Sequence, residues 1–301
     1  MTRLLVTGAA GYLGRRIIHY TGGQEFVGRT AHLPPGGWQV VGAYHRAAPP
    51  DAPVNCAYIQ VDLRDAAQAS LRFAQAQPDI VIHTAGSNQS PEQVAAIEPM
   101  SHTLTLLCAE SGARLIHVST DMVFGGDAAP YADEAAPAPL HPYGEAKARA
   151  EDIVRSRCPA AAIVRPSLIF GLQPLDHQTR WLLDGIEAGT PVRLFTDEYR
   201  CPIWVDNLAV ALLELATLDY TGPLNLTGPQ RLNRWEFGMK LLSALRLEPG
   251  DMVRPATIAE SGLTRPADLT LDVSRAQALL RTPLLSVDEA LAVFGRPTTN
   301  R

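Results

Sequence analysis

Along the first half of the chain, short apolar runs recur at 4–7, 40–44, 57–61, 80–84, 115–119 and 162–165, each the length of a buried strand. Between them lie stretches long enough to cross over as helices, at 12–20, 66–76, 102–111 and 143–156. Strands alternating with helices predict an α/β fold, a doubly wound parallel sheet covered on both faces. One connection is long: residues 21–37 insert a Gly- and Pro-bearing stretch, either an extra surface element or a flap. After residue 165 the rhythm changes to a loop (171–178), helices at 179–188, 205–217 and 234–245, and a short apolar run at 224–226. The pattern predicts a first domain over 1–165 and a mainly substrate-binding smaller domain over 166–301, with segments near 203–227 rejoining the first.

The turn between the first strand and first helix reads Gly8-Ala9-Ala10-Gly11-Tyr12-Leu13-Gly14. A glycine turn there lets the backbone approach a pyrophosphate, and the following helix N-terminus offers it free N–H groups. Its place, after a strand and before a helix, marks the first domain as an NAD(P)-binding Rossmann fold. Arg46 follows the second strand, where an acidic residue would hold a ribose 2′-hydroxyl. A cation there suits a 2′-phosphate, which favours NADP(H) with NAD(H) as the alternative; a solvated surface arginine is the competing reading. Asp62 and Leu63 end the third strand and are placed at the adenine edge. Ala85 and Gly86 end the fourth, where small residues let a cofactor lie against the sheet.

Tyr143 and Lys147 stand four apart, on one face of a predicted helix. A free phenol titrates near pH 10, and a neighbouring ammonium is expected to lower that value enough for Tyr143 to act as a general acid or base. Ser119 and Thr120 close the fifth strand with hydroxyls able to hydrogen-bond a carbonyl.

Composition excludes several classes. The net charge of −5 comes without a basic cluster, which argues against nucleic acid. The N-terminus reads as lacking a secretory leader and no run reaches the length of a membrane span, so a cytoplasmic location with no membrane partner is expected. Four cysteines (Cys56, Cys108, Cys158 and Cys201) lie far apart without a C-x-x-C pair and read as reduced thiols. His83, His102, His117 and His141 lack ligand spacing, and no metal is expected.

With these motifs in place the chain resembles the extended short-chain dehydrogenase/reductase superfamily, and within it the dTDP-4-dehydrorhamnose reductase family. The resemblance rests on the 7–14 turn, on Ser119-Thr120-Asp121-Met122-Val123-Phe124, on Tyr143 and Lys147, on Arg165-Pro166-Ser167, and on Arg265-Pro266-Ala267-Asp268-Leu269. It implies NAD(P)H-dependent reduction of a 4-keto sugar carried on a nucleoside diphosphate, as in rhamnose biosynthesis. It implies Tyr143 as proton donor, Lys147 as the group that tunes it and holds the nicotinamide ribose, Thr120 on the carbonyl with Ser119 in support, and Asp121 in the substrate region. Arg200 is a candidate for the diphosphate, or a surface arginine; Trp181 packs on the nucleotide base or in the core.

Similar 4,6-dehydratases carry glutamate after Ser-Thr-Asp, whereas Met122 cannot transfer protons, which disfavours dehydration. The segment Ile97-Glu98-Pro99-Met100 lacks the asparagine usual in relatives, and the 175–181 loop lacks their Asn-Phe. Two other readings stay open: another superfamily reductase or epimerase, and a non-catalytic NADP-binding subunit resembling the regulatory partner of methionine adenosyltransferase. A homodimer through paired helices is compatible with all three.

Overall fold

The structure, a computed structural model, describes residues 1–27, 29–30, 34–49 and 56–294. Seven strands, β1 (Thr2–Thr7), β2 (Trp38–Tyr44), β3 (Cys56–Gln60), β4 (Ile80–His83), β5 (Arg114–Val118), β6 (Ala162–Arg165) and β7 (Gly222–Asn225), form one sheet. Their order is β7-β6-β5-β4-β1-β2-β3 and every pairing is parallel. The direction of winding reverses between β1 and β4, which opens a crevice at the carboxyl ends of those strands.

Alternation within each strand sends side chains to two cores. Leu4 and Val6 join one core with α1 (Tyr12–Tyr20) and a helix at Val205–Ala216, while Leu5 joins the other with residues of α2 (Ala66–Ala76), α3 (Pro91–Ser111) and α4 (Pro142–Arg157). All residues of the Val205–Ala216 helix are buried, which explains its almost uninterrupted apolar sequence. Its one early acid, Asp206, is buried but paired: it accepts from Arg16 and from the Tyr20 hydroxyl of α1. Glu214 near its other end accepts from the backbone of Arg281 and Thr282, so the C-terminal segment is fastened to the same helix.

A second, smaller core gathers Leu182, Val192, Leu194, Leu242 and Val253. It lies among α5 (His177–Glu187), α7 (Arg234–Ala244, counting Val205–Ala216 as α6) and a parallel strand pair, Val192–Phe195 with Val253–Ala256. Asp176 caps α5 through the amides of Gln178 and Thr179, and Asn233 with Glu236 forms a capping box on α7.

The third crossover helix departs from the sequence expectation. It begins at Pro91 rather than at 102, because Ser90 caps it and Pro91 takes the first helical position, where a missing N–H costs nothing. Pro99 lies inside it without ending it. Within 21–37, residues 28 and 31–33 lie outside the described ones. The described part pairs Glu25–Phe26 with Arg29–Thr30, and Phe26 is buried against Tyr20 and Trp204. That anchors the described part of the insertion at the end of α1.

Candidate active site

At the end of β1 the chain turns on Gly8, whose φ of +69° favours glycine. A Cβ there would lie 2.8 Å from Thr84 Oγ1 and 2.9 Å from the Ala85 nitrogen. A Cβ on Gly14 would strike the Gly8 carbonyl, so helix and strand pack only because both positions are bare. Gly11 caps α1 without a side chain to satisfy the first amides. The free N–H groups of a helix start can receive a pyrophosphate, and Gly8, Ala10 and Gly11 line the crevice there.

A cavity of about 430 Å³ adjoins this turn and brings together Gly8, Gly11, Arg46, Asp62, Leu63, Ala85 and Gly86. Five other expected cofactor residues do not line it: Tyr143 and Lys147 on α4, and three at the turn. Leu13 is buried in the core, Gly14 packs under the turn, and Tyr12 hydrogen-bonds the Pro174 carbonyl at 3.0 Å. Arg64, which the sequence reading passed over, pairs with Asp62 at 2.6 Å, and His45 lies 3.5 Å from the same carboxylate. The Arg64 hydrogen bonds hold the Asp62 carboxyl down at about 2. Arg46 is exposed beside them and keeps its position as the 2′-phosphate candidate. A dinucleotide fits this set: a bare glycine cradle, unsatisfied helix amides and cations at the far edge.

One strand over, β5 ends in Ser119 and Thr120. Thr120 caps a short turn over Asp121–Val123, its Oγ1 accepting from the Met122 amide at 3.2 Å. Ser119 donates to Glu151 at 2.6 Å, and that carboxylate also receives Arg165 at 2.6 and 3.0 Å. Ser119 is thus fixed within a buried ionic network.

Tyr143 and Lys147 occupy successive turns of α4, as their spacing predicts. Lys147 Nζ donates to the Val118 carbonyl at 2.9 Å. A Cβ on Gly86 would come within 3.2 Å of that nitrogen and 3.6 Å of the Ile97 side chain, so Lys147 reaches beneath the loop that lines the dinucleotide cavity. Burial lowers Lys147 to about 8, with Glu151 opposing.

The expected lowering of Tyr143 is not observed. Burial pushes it up to about 12, Asp121 adds to the rise, and a hydrogen bond with Thr120 works against it. The ammonium is committed to Val118, and burial with a nearby carboxylate outweighs it. Behind the pair, burial first and Lys147 second lower His83 to about 3, and His117 also falls far below its usual value. Both are neutral core rings; Thr7 Oγ1 lies 2.7 Å from His83 Nδ1. Among the described residues no group of three or more His, Cys, Asp or Glu could hold a metal ion.

A cavity of about 800 Å³ opens in front of Thr120 and Tyr143, with Arg193, Arg200, Arg234 and Arg265 in its wall. Arg200 is neither a surface residue nor free. It is buried, paired with Asp121 at 2.8 Å and 3.5 Å from Glu198, and its Nη2 donates to Met122 Sδ at 2.9 Å. Ser167 also donates to Asp121, at 2.6 Å. Glu198 holds Arg265 at 3.2 Å and lies 4.0 Å from Arg234.

Two guanidinium nitrogens of this cluster, Nε of Arg200 and Nη1 of Arg234, are buried without a partner among the described residues. Burial depresses Arg234 to about 10 despite Glu198. Sequence reading missed Arg193 and Arg234. One signal was available for the latter: it opens α7, and a cation in the first turn opposes the helix dipole. Trp181 lines the same cavity at 49% exposure, so it is not a core residue.

The RmlD substrate binding domain family model matches residues 1–298. The chain belongs to that family. It is therefore an RmlD-type member of the extended short-chain dehydrogenase/reductases, which supports a nicotinamide dinucleotide as its cofactor.

Among similar proteins, the "Probable low-salt glycan biosynthesis reductase Agl14" of Haloferax volcanii is 29% identical, over 96% of each chain. Methionine adenosyltransferase 2 subunit beta of Xenopus tropicalis is 27% identical, over 97% of this chain and 88% of the relative. In fold, the dTDP-4-dehydrorhamnose reductase of Bacillus anthracis, solved with NADP, superposes with a TM-score of 0.78 at 20% identity. That comparison covers 98% of this chain and 99% of the other.

Proposed function

We propose that this RmlD-type chain is an NADPH-dependent reductase of a nucleotide-linked 4-keto-6-deoxy sugar, in the manner of dTDP-4-dehydrorhamnose reductase. One observation carries the reading: Thr120 and Tyr143 border a cavity whose far wall holds buried, unpartnered guanidinium nitrogens. A buried guanidinium N–H left without an acceptor is costly, and a diphosphate oxygen would supply one. Arg234, with Arg193 and Arg265 beside it, is the proposed diphosphate clamp, in place of Arg200. Trp181 at the rim is the proposed platform for the nucleotide base.

Reduced nicotinamide, when bound, supplies the hydride to the carbonyl carbon. Thr120 donates a hydrogen bond to the carbonyl oxygen, and Tyr143 gives that oxygen its phenolic proton as the C=O bond becomes C–O–H. A tyrosine raised to about 12 holds its proton at neutral pH, which suits a general acid. Lys147, charged below about 8, stabilises the phenolate left behind and binds the nicotinamide ribose. Arg200 and Ser167 fix Asp121, and with it the turn that presents Thr120 and Met122. Met122 offers no acid or base, so elimination of water has no proton carrier at that position.

The relationship to methionine adenosyltransferase 2 subunit beta gives the second reading, a nucleotide-binding subunit without turnover. Titration calorimetry with dTDP and UDP tests the clamp: binding lost in Arg234→Ala supports a nucleotide-sugar site, and equal affinity in that variant removes it. The proposed setting is the cytoplasm; among the described residues no helix is long and apolar enough to cross a membrane.

A further inference from the structure

A third cavity, of about 750 Å³, lies along α3 and α4 and shares five wall residues, Asn88, Gln89, Met122, Tyr143 and Arg265, with the sugar cavity. Arg193 and Arg234 line only the sugar cavity, whereas Tyr143 and Arg265 border both. A 6-deoxy sugar ends in a methyl group and cannot occupy such a volume.

Along its helices the wall of the extension carries two carboxylates, Glu98 and Glu145, and one cation, Arg149. Arg149 pairs with Glu98 at 2.7 Å and Glu145 at 3.8 Å. The rest includes Val94, Ala95, Pro142 and Leu263, the last 53% exposed at the rim although large and apolar. At the junction, the exposed side-chain amides of Asn88 and Gln89 make no hydrogen bond among the described residues, and they offer donors and acceptors that match an amide.

We propose that the α3–α4 cavity is a subsite for an uncharged acylamino substituent of the sugar, carried next to the reacting carbonyl on the side away from Arg193 and Arg234. The inference rests on the reductase reading and narrows its substrate class: a keto sugar bearing an N-acyl group rather than a plain 6-deoxyhexose. Asn88 or Gln89 meets the amide, and the acyl chain lies along Val94, Ala95 and Leu263.

The test compares dTDP-4-keto-6-deoxyhexose with its 3-acetamido and 3-butanamido derivatives as substrates with NADPH. Catalytic efficiency is expected to rise roughly tenfold from the plain sugar to the acylated ones, the scale of a filled apolar pocket. Ala95 is exposed on α3, so Ala95→Trp fills the cavity without disturbing the core. That variant is expected to raise KM for the acylated sugars and leave the plain sugar unchanged, which also shows that it is folded. Turnover of the plain sugar with no gain on acylation, or an equal loss for all sugars in Ala95→Trp, overturns the subsite alone. No oxidation with any of the sugars overturns the reductase reading, and the subsite with it.

Discussion

Tyr12, in the glycine turn, donates its hydroxyl to the carbonyl of Pro174, 162 residues further along the chain, at 3.0 Å. Gly171 packs against that same hydroxyl, so closely that a Cβ would displace it. Asp176 then ties the loop to α5 by accepting from the Gly171 amide at 3.2 Å and capping the helix that carries Gln178 and Trp181. A single phenol therefore joins the glycine turn to the wall of the cavity in front of Thr120 and Tyr143.

Tyr12→Phe removes that link while keeping the ring. Loss of one hydrogen bond of about 1 kcal/mol should raise the sugar-nucleotide KM roughly fivefold and leave kcat nearly unchanged. Steady-state kinetics at saturating NADPH give the answer; an unchanged KM would mean that the loop stands without Tyr12.

Arg200 and Asp121 form a buried pair, 4% and 2% exposed. Arg200→Met strands the carboxylate, and breaking such a pair costs about 3–5 kcal/mol. Urea unfolding should show that loss, and Asp121→Asn combined with Arg200→Met should recover part of it. Equal stability of the single and double variants would show that the charge on Asp121 is not the reason.

Lys147 sets the pH behaviour. Its value of about 8 in the folded chain lies below the ordinary 10.5, so between those limits the unfolded chain binds more protons. Stability contributed by this site therefore rises with pH from about 8 to 10.5, and Lys147→Met should remove the rise. Reduction should decline as pH passes about 8, where the ammonium is lost, well before Tyr143 titrates at about 12. A profile that stays flat to pH 10 would separate Lys147 from the chemistry.

Arg46 is exposed at the edge of the dinucleotide cavity, whereas neighbouring Arg64 is engaged by Asp62. Arg46→Ala should weaken NADPH roughly tenfold, the scale of one charged hydrogen bond, and barely alter NADH. Fluorescence titration with both cofactors measures the ratio; parallel losses would assign the 2′-phosphate elsewhere.

The parallel sheet was legible because each strand is an apolar run bounded by turn residues, a signal local to a few positions. The glycine turn and the Tyr143–Lys147 pair were legible for the same reason. The start of α3 was hidden because Pro91 and Pro99 read as breakers, although the first is a favoured opening and the second is tolerated inside the helix. The arginine cluster was hidden because Arg193, Arg200, Arg234 and Arg265 come from separate elements and meet only around Glu198 and the sugar cavity. The height of the Tyr143 pKa was hidden because spacing gives proximity to Lys147 but not burial or the nearness of Asp121.

Direct hydride transfer is the central claim, and isotope transfer is its most direct measurement. The protein is incubated with NADPH carrying deuterium at both C4 positions and a dTDP-4-keto-6-deoxy sugar, and the product is read by mass spectrometry beside Tyr143→Phe. The account predicts one deuterium on the sugar carbon that was the carbonyl, with the rate down at least about a hundredfold in the variant. Dinucleotide binding with no deuterium on any sugar would contradict it and leave the chain a nucleotide-binding subunit.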